Sequence, residues 1–402
     1  MAATLPRVAL VGATGFGANH LRNIARLATS GRIELVAVCD PRPTPDVPVG
    51  VQKFPDHRTM LDQARPDIAV VSTPPHTHLP IALDLIAAGV DLLLEKPPVA
   101  GVTEHDMLAA ALADAGKVAQ VGFQAQGSRA LAALSRAITE GRLGTVTGIV
   151  AGGTWIRDDS YYQRSPWAGR RSHDGRLVLD GALVNPFAHM LMLGLTIAEA
   201  VTPGVAPVAL ELERYRCRDI EVDDTACVRV RLSAGPPVLV AVTLCASTFR
   251  EGDVVVHGTA GTAVLEYATD RLALHPPGTA RLGGAAVAPA LGRVDLLENL
   301  LAHRTDPLGT PLIAPLDATR QFTVLAEAIA LASPPTPVAT DAVRIHGAGA
   351  TRTVELTGVD AAIGAAVARL SMFSESGTPW ARPPSLIDLQ LDPGLATSTP
   401  SE

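Results

Sequence analysis

Val90-Asp91-Leu92-Leu93-Leu94-Glu95-Lys96-Pro97-Pro98 is an apolar run that ends in a charged pair and two prolines. So short a run, preceded by Gly89 and closed by proline, reads as a buried strand of a parallel sheet. It delivers Glu95 and Lys96 to its carboxyl end, the place where open α/β sheets bind their ligands. A lysine held there with its stem desolvated can donate to a substrate oxygen, or act as acid and base if burial lowers its pKa. An isolated lysine after a strand is far more often a surface residue. What precedes it decides between the two.

Residues 7–11, Arg-Val-Ala-Leu-Val, read as a first strand, followed by Gly12-Ala13-Thr14-Gly15-Phe16-Gly17 and a helix over about 18–29. Glycines between strand and helix let the backbone approach a pyrophosphate seated on the free N–H groups of the helix. Thr14 stands where the GxGxxG pattern has its middle glycine, and a plain tight turn fits the loop as well. The next strand, 33–39, ends in Asp40, where an acid would bond the adenosine ribose hydroxyls. An acid there repels a 2′-phosphate and favours NAD, while nearby Arg42 leaves NADP open. Residues 41–50 form a proline-rich loop. A strand over 66–73 ends at Thr73-Pro74-Pro75-His76-Thr77-His78, and a helix over 79–88 leads into the opening strand. His76 and His78 invite a metal reading, but no third ligand lies nearby in sequence, so a loop at the nicotinamide side is preferred and no metal is assigned. A helix over 103–115 and a strand over 118–123 complete a doubly wound domain.

Bulk composition agrees. At 402 residues there is room for two domains, since one core rarely grows past ~250–300 residues. Apolar content of 47% and charged content of 18% describe a water-soluble globular chain. A net charge of −7 with no basic run argues against nucleic acid as the main partner. Cys39, Cys217, Cys227 and Cys245 show no CxxC spacing, which fits buried thiols in a reduced, cytoplasmic setting. The start of the chain lacks the apolar core of a signal peptide, and no window approaches ~18 uninterrupted apolar residues, so no membrane span is expected.

The succession VGATGFGANH, CD, VSTPPHTH, ALDLIAAG, LLLEKPPVAG and VGFQ resembles the glucose–fructose oxidoreductase/inositol dehydrogenase (Gfo/Idh/MocA) family over at least residues 7–330. Its most specific part is Glu-Lys-Pro after the fifth strand. The resemblance implies an N-terminal Rossmann domain (1–123) that binds NAD(P), and a second domain (124–333) on an open, mainly antiparallel sheet. It sets Gly12, Thr14, Gly15, Phe16, Gly17, Asp40, Arg42, Thr73, Pro74, His76, His78, Glu95, Lys96 and Gln124 against the cofactor. It also implies that Lys96 reaches the substrate hydroxyl, and it favours a homodimer or homotetramer through the open sheet.

In the second half, a helix over 127–140 and a strand over 146–152 precede a loop carrying Trp155, Arg157, Tyr161, Tyr162, Arg164, Trp167, Arg170 and Arg171. Aromatic faces interleaved with guanidinium groups suit a sugar ring and a carboxylate, and equally suit packing over the domain. In the resembled family this segment borders the substrate, which makes Trp155, Tyr162, Trp167 and Arg170 substrate candidates. Gly181-Ala182-Leu183-Val184-Asn185-Pro186-Phe187-Ala188-His189 is similar to that family's Gly-Ala-Leu-Leu-Asp-x-x-x-His. His189 then fits as general base, and Asn185 stands where the family has Asp. On one helix the two would share a face. Asn before Pro186 also reads as a helix N-cap.

Strands over 206–216, 224–232, 238–247, 253–258 and 262–267 read as an antiparallel meander, and 278–285 as a surface loop. Helices are expected over 294–303 and 316–332, then an extension (334–402) with a strand pair in 343–356 and a helix over 360–375. Its Pro/Ser-rich tail after Trp380 has little to bury and is expected to be mobile at its end. The function expected is NAD(P)-dependent hydride transfer to or from a secondary alcohol of a sugar, polyol or sugar acid, with Lys96, His189 and Asn185 at the chemistry. A lyase or glycosidase using transient oxidation, and a non-catalytic cofactor-binding regulator, are the alternatives.

Overall fold

A computed structural model describes residues 4–44, 47–279 and 281–389. It divides into two compact units, Met1–Gln124 with Asp295–Thr323, and Ala125–Val294 with Val324–Glu402. The boundaries differ from those expected at 123 and 333: the segment 295–323 joins the first unit, and the extension after 334 is part of the second.

The first unit carries β1 (Arg7–Val11), α1 (Gly17–Thr29), β2 (Glu34–Cys39), β3 (Gln52–Phe54), α2 (His57–Ala64), β4 (Ile68–Val71), α3 (His78–Ala87), β5 (Asp91–Leu94), α4 (Val102–Ala115) and β6 (Ala119–Val121). Val8 to Val11, β4 and β5 are buried throughout, as strands covered by helices on both faces must be. All pairings are parallel, in the order β3-β2-β1-β4-β5-β6. That is the dinucleotide-binding order, and its reversal between β1 and β4 opens a crevice at their carboxyl ends. The late segment belongs here because its leucines finish this core: Leu296, Leu297 and Leu300 pack with Leu10, Ile24 and Leu93. Buried Gln120 fixes it, donating to Asn299 Oδ1 at 2.7 Å and accepting from the Ala314 N–H at 2.8 Å.

The second unit is a nine-stranded mixed sheet with helices. In chain order it holds α5 (Arg129–Thr139), β7 (Val146–Ile156), α6 (Asp159–Gln163), β8 (Ser172–His173), β9 (Arg176–Leu177), α7 (Ala188–Val201), β10 (Pro207–Arg216), β11 (Thr225–Leu232), β12 (Val238–Thr243), β13 (Cys245–Gly258), β14 (Thr262–Glu266) and β15 (Arg271–His275). After α8 (Leu296–Thr305) of the first unit and α9 (Arg320–Leu331), which links the two, come β16 (Thr336–Pro337), β17 (Val343–His346), β18 (Thr353–Leu356), α10 (Val359–Arg369) and β19 (Ser385–Asp388). The order is β15-β14-β13-β7-β12-β11-β10-β16, with β19 also on β10. The sheet is therefore no simple meander: β7 lies between β13 and β12 and runs parallel to β12. The two pieces expected over 238–258 regroup as β12 and one fourteen-residue strand, β13, whose exposed stretch 247–251 breaks the alternation. The glycine-rich loop at 278–285 is not wholly superficial, since Ala285 is fully buried in the core.

Gly152 and Gly153 set the layering. A Cβ on Gly152 would lie 2.7 Å from Val367, and one on Gly153 would lie 2.6 Å from Met190 and Phe187. Successive residues of a strand face opposite sides, so α10 packs on one face of β7 and α7 on the other. On the α10 face, Val359, Ile363, Ala366, Val367 and Phe373 cover Val150, Leu239, Ala241 and Val255. The face expected to receive another subunit is thus covered by the chain's own extension. The tail after Trp380 is also anchored: Trp380 packs edge-on against Tyr215 and Phe373, and β19 pairs with β10. The end expected to be mobile, 390–402, lies outside the described residues. Among the described residues no helix is long and apolar enough to cross a membrane.

Removing residues 359–402 uncovers this apolar face, and the shortened chain is expected to self-associate, read as a rise in mass by light scattering. An unchanged mass together with an unchanged Tm would show that the extension does not perform this covering role.

Candidate active site

In the first unit the glycine loop is forced by close approach. Gly12 has φ +86°, and a Cβ there would sit 2.5 Å from the Ser72 carbonyl oxygen at the end of β4. A Cβ on Gly17 would sit 1.9 Å from the Gly12 carbonyl oxygen, so the loop could not fold back on the start of α1. Gly15 is different: φ is +61°, yet nothing lies within 4 Å of its would-be Cβ. The loop thus closes tightly on the protein side and stays bare where Gly15 turns, which fits a dinucleotide phosphate approaching the start of α1.

Asp40 ends β2 with its carboxylate buried. Oδ2 accepts the N–H groups of Ala13 at 2.9 Å and Thr14 at 3.2 Å, and Oδ1 accepts the Arg42 N–H at 2.9 Å. Burial alone would push this carboxyl up, but the bonds from Arg42 and Ala13 outweigh it and hold it below the usual range. Asp40 therefore fixes the glycine loop. The Arg42 guanidinium turns back on Asp40 at 3.2 Å.

At the end of β5, Glu95 is buried and Lys96 half-buried, and the Lys96–Pro97 peptide is cis. Glu95 Oε1 takes His20 Nε2 at 2.8 Å and Gln124 Nε2 at 2.8 Å, while Oε2 accepts the Lys96 N–H at 3.1 Å. Burial would raise this carboxyl, and His20 and Lys96 overcome it, so Glu95 stays below its ordinary value. A Cβ on Gly122 would fall 2.6 Å from Glu95 Oε1, so only glycine leaves room for the carboxylate. Glu95 and Gln124, expected at the cofactor, thus form the brace beneath Lys96. His20 was missed, although the sequence held a signal: it shares the stripe Gly17, His20, Leu21, Ile24, Leu27, and a polar group in a buried stripe needs a partner.

His78 is corrected. It is fully buried, with Nε2 2.9 Å from the Thr73 carbonyl oxygen and Nδ1 3.0 Å from that of Pro97. Burial lowers its pKa, so the neutral ring donates to one side and ties the 73–78 loop to the cis-proline turn instead of facing a ligand. Thr73 is held by the Thr77 hydroxyl at 2.8 Å, within a turn that starts after Pro74 and contains His76.

In the second unit, α7 begins at Ala188 with Phe187 at its cap position, so neither the Asn185 cap nor a shared helical face for Asn185 and His189 survives. Asn185 lies in the preceding turn and donates to Asp180 Oδ1 at 2.7 Å. Buried Asp180, a residue the sequence reading left unused, also pairs with Arg164 and accepts the Gly169 N–H at 2.6 Å. An Asn-Pro cap signature lost to this buried acceptor, which needs every donor within reach. His189 sits in the first turn of α7, half-buried, its ring 6.2 Å from Tyr267.

The four substrate candidates separate. Trp155 packs on Phe187 at 4.5 Å between ring centroids, and its indole N–H donates to the Glu251 carbonyl at 2.8 Å. Trp167 carries the Arg164 guanidinium over its ring at 4.8 Å. Tyr162 and Arg170 come together at a cavity of about 570 Å³ that Arg171, Arg216 and Glu221 also line. Arg170 pairs there with Glu221 at 2.7 Å.

Sheet order, glycine turn and terminal acid make the first unit a Rossmann fold of the dinucleotide-binding kind. Residues 6–123 match the model of the oxidoreductase family GFO_IDH_MocA, NAD-binding Rossmann fold. A protein of Amycolatopsis mediterranei, provisionally named a UDP-kanosamine synthase oxidoreductase subunit, is 29% identical over 210 residues, 50% of this chain and 57% of its own. Inositol 2-dehydrogenase 4 of Saccharopolyspora erythraea is 32% identical over 145 residues, 34% of this chain and 42% of its own. The match thus spans little more than half of the first relative and less of the second. Among solved structures, the WlbA dehydrogenase of Bordetella pertussis, in complex with NADH and UDP-GlcNAcA, superposes with a TM-score of 0.67 at 23% identity. That likeness covers 82% of this chain and 95% of WlbA, and it supports the two-part fold.

Two expectations test the first-unit geometry. Gly12→Ala, which must displace the Ser72 backbone, should lower Tm by more than Gly15→Ala, whose cost to stability is only the ~1–2 kcal/mol of a left-handed residue; equal losses of Tm would contradict the close approach at Ser72. For Glu95 the folded pKa lies below the ordinary 4.5, so its stabilisation is complete above that pH and is lost as pH falls through the lowered value. Acid unfolding curves of Glu95→Gln should lack that component, and a curve as steep as wild type would contradict it.

Proposed function

We propose that this protein is an NAD-dependent dehydrogenase acting on a secondary alcohol of a sugar, polyol or sugar acid. The observation that supports this most is the Glu95 brace, which holds Lys96 at the carboxyl end of β5 in a sheet of dinucleotide-binding order. Bound NAD would take or give hydride at the substrate carbon. The glycine turn and Asp40 hold the dinucleotide, and Arg42, folded onto Asp40, leaves little to greet a 2′-phosphate, which favours NAD over NADP. Lys96 donates to the substrate oxygen and draws charge from the alcohol carbon as the oxygen becomes a carbonyl. His189 accepts the hydroxyl proton, and Asn185, steadied by Asp180, orients the hydroxyl. The sugar-like substrate class follows the relatives, which carry names of inositol, levoglucosan and UDP-sugar enzymes. The cavity at Tyr162 and Arg170 has a volume suited to such a ligand. None of the four cysteines forms a disulfide, which suits a cytoplasmic setting.

Titration with NADH and NADPH, followed by a screen of polyols and sugar acids for absorbance from reduced cofactor, tests the reading. Lys96→Met is expected to lower kcat by about 10²–10⁴-fold while the NADH Kd stays within about threefold. Wild-type turnover in that variant would overturn the role of Lys96, and binding of neither nucleotide would overturn the proposal.

A further inference from the structure

Two of the thiols that composition assigns to plain burial stand together with a carboxylate. Cys217 follows β10, Asp224 precedes β11 and Cys245 opens β13, so three strand ends bring them to one corner of the second unit. One donor atom from each, two sulfurs and a carboxylate oxygen, all lie within 4.8 Å of one another. The frame is firm: the Asp224 N–H donates to the Tyr215 carbonyl at 3.1 Å, the Leu244 N–H to the Asp224 carbonyl at 2.7 Å, and the Cys245 N–H to Thr243 Oγ1 at 3.0 Å.

The polar atoms around this corner are unevenly satisfied. Asp224 Oδ2 accepts the N–H groups of Cys217 at 2.8 Å and Arg218 at 3.3 Å. Beyond that, the Asp224 carboxylate has only the thiols of Cys245 and Cys217 beside it, with no further nitrogen or oxygen donor on Oδ1, and the Tyr162 hydroxyl and Arg218 Nε are buried without a partner. Tyr162 lies under the Arg218 guanidinium at 5.0 Å and feels the charges of Asp224 and Cys245. Buried polar atoms are rarely left so; Asp224 Oδ1 can ligate a cation and the Tyr162 hydroxyl can accept from a water on it, whereas Arg218 Nε is a donor that a cation does not satisfy. Charge fits as well. Two thiolates and a carboxylate exceed a divalent cation by one negative charge. The Arg218 guanidinium beside these groups offsets it in part.

We propose that Cys217, Asp224 and Cys245 bind a thiophilic divalent cation of the zinc class. Two sulfurs and one oxygen select a borderline-soft metal over magnesium or calcium, and three protein ligands leave one tetrahedral position for a water. Binding displaces the thiol protons, so affinity rises with pH. The cation clips the ends of β10, β11 and β13 and lies beside Tyr162, which also lines the cavity described above.

The test uses the full-length chain, purified under reducing conditions, stripped with a chelator and titrated with Co²⁺ alone. One equivalent is expected to raise a thiolate-to-cobalt charge-transfer band that Zn²⁺ then displaces. Cys245→Ser and Asp224→Asn should weaken Co²⁺ binding by more than about 100-fold, beyond the 10–100-fold cost of an outer partner. Should the cysteine variant not fold, the wild-type chain decides: chelation should lower Tm and Zn²⁺ should restore it. No stoichiometric band, a Tm indifferent to Zn²⁺, or a Cys217–Cys245 disulfide found by mass spectrometry in the protein as purified would each overturn the proposal. None of these readouts depends on turnover.

Discussion

A carboxylate without water must be surrounded by donors, and the first unit is built around meeting that demand at Glu95. Left alone, a buried charge of this kind would cost several kcal/mol or simply take up a proton. Here His20 comes from α1, Gln124 from beyond β6, and the Lys96 N–H from the same turn. Three separate parts of the nucleotide fold are thereby drawn to the end of β5. Gly122 is glycine because the carboxylate occupies the room a side chain would need. The second buried polar link, His78 between the carbonyls of Thr73 and Pro97, fastens the neighbouring loop to the same turn. Lys96 is consequently presented by a backbone with little freedom to yield.

The second unit applies the same rule with a different acid. Asp180 gathers Arg164, the Gly169 N–H and the Asn185 amide, and so gives shape to a loop and a turn with little regular structure of their own. An asparagine at 185, where the family resemblance implies an aspartate, becomes understandable beside it. Two carboxylates at this spacing would repel, whereas an amide donates.

What the sequence disclosed and what it hid divide along a physical line. Strands such as 68–71 and 91–94 were legible because burial on both faces demands unbroken apolar runs, and α1 because its stripe keeps a helical period. The glycine loop, the acid at 40 and the Glu-Lys-Pro turn could be read locally as well. Pairings between distant residues could not. Nothing near Glu95 announces His20, seventy-five positions away, and nothing in β7 announces that it would lie parallel to β12. The Asn185-Pro186 cap failed for the same reason, since its competitor, Asp180, acts through a side chain whose burial is a tertiary fact. Leu296 to Leu301 changed units because a leucine-rich helix says that it needs a core and not which one.

The packing of α10 on the sheet has a consequence for mass action. A face covered by a second molecule is exposed again on dilution, because the cover leaves with its own concentration. A cover joined by the same chain keeps a fixed effective concentration set by its tether. The apolar face of Val150, Leu239 and Val255 therefore keeps this cover on dilution.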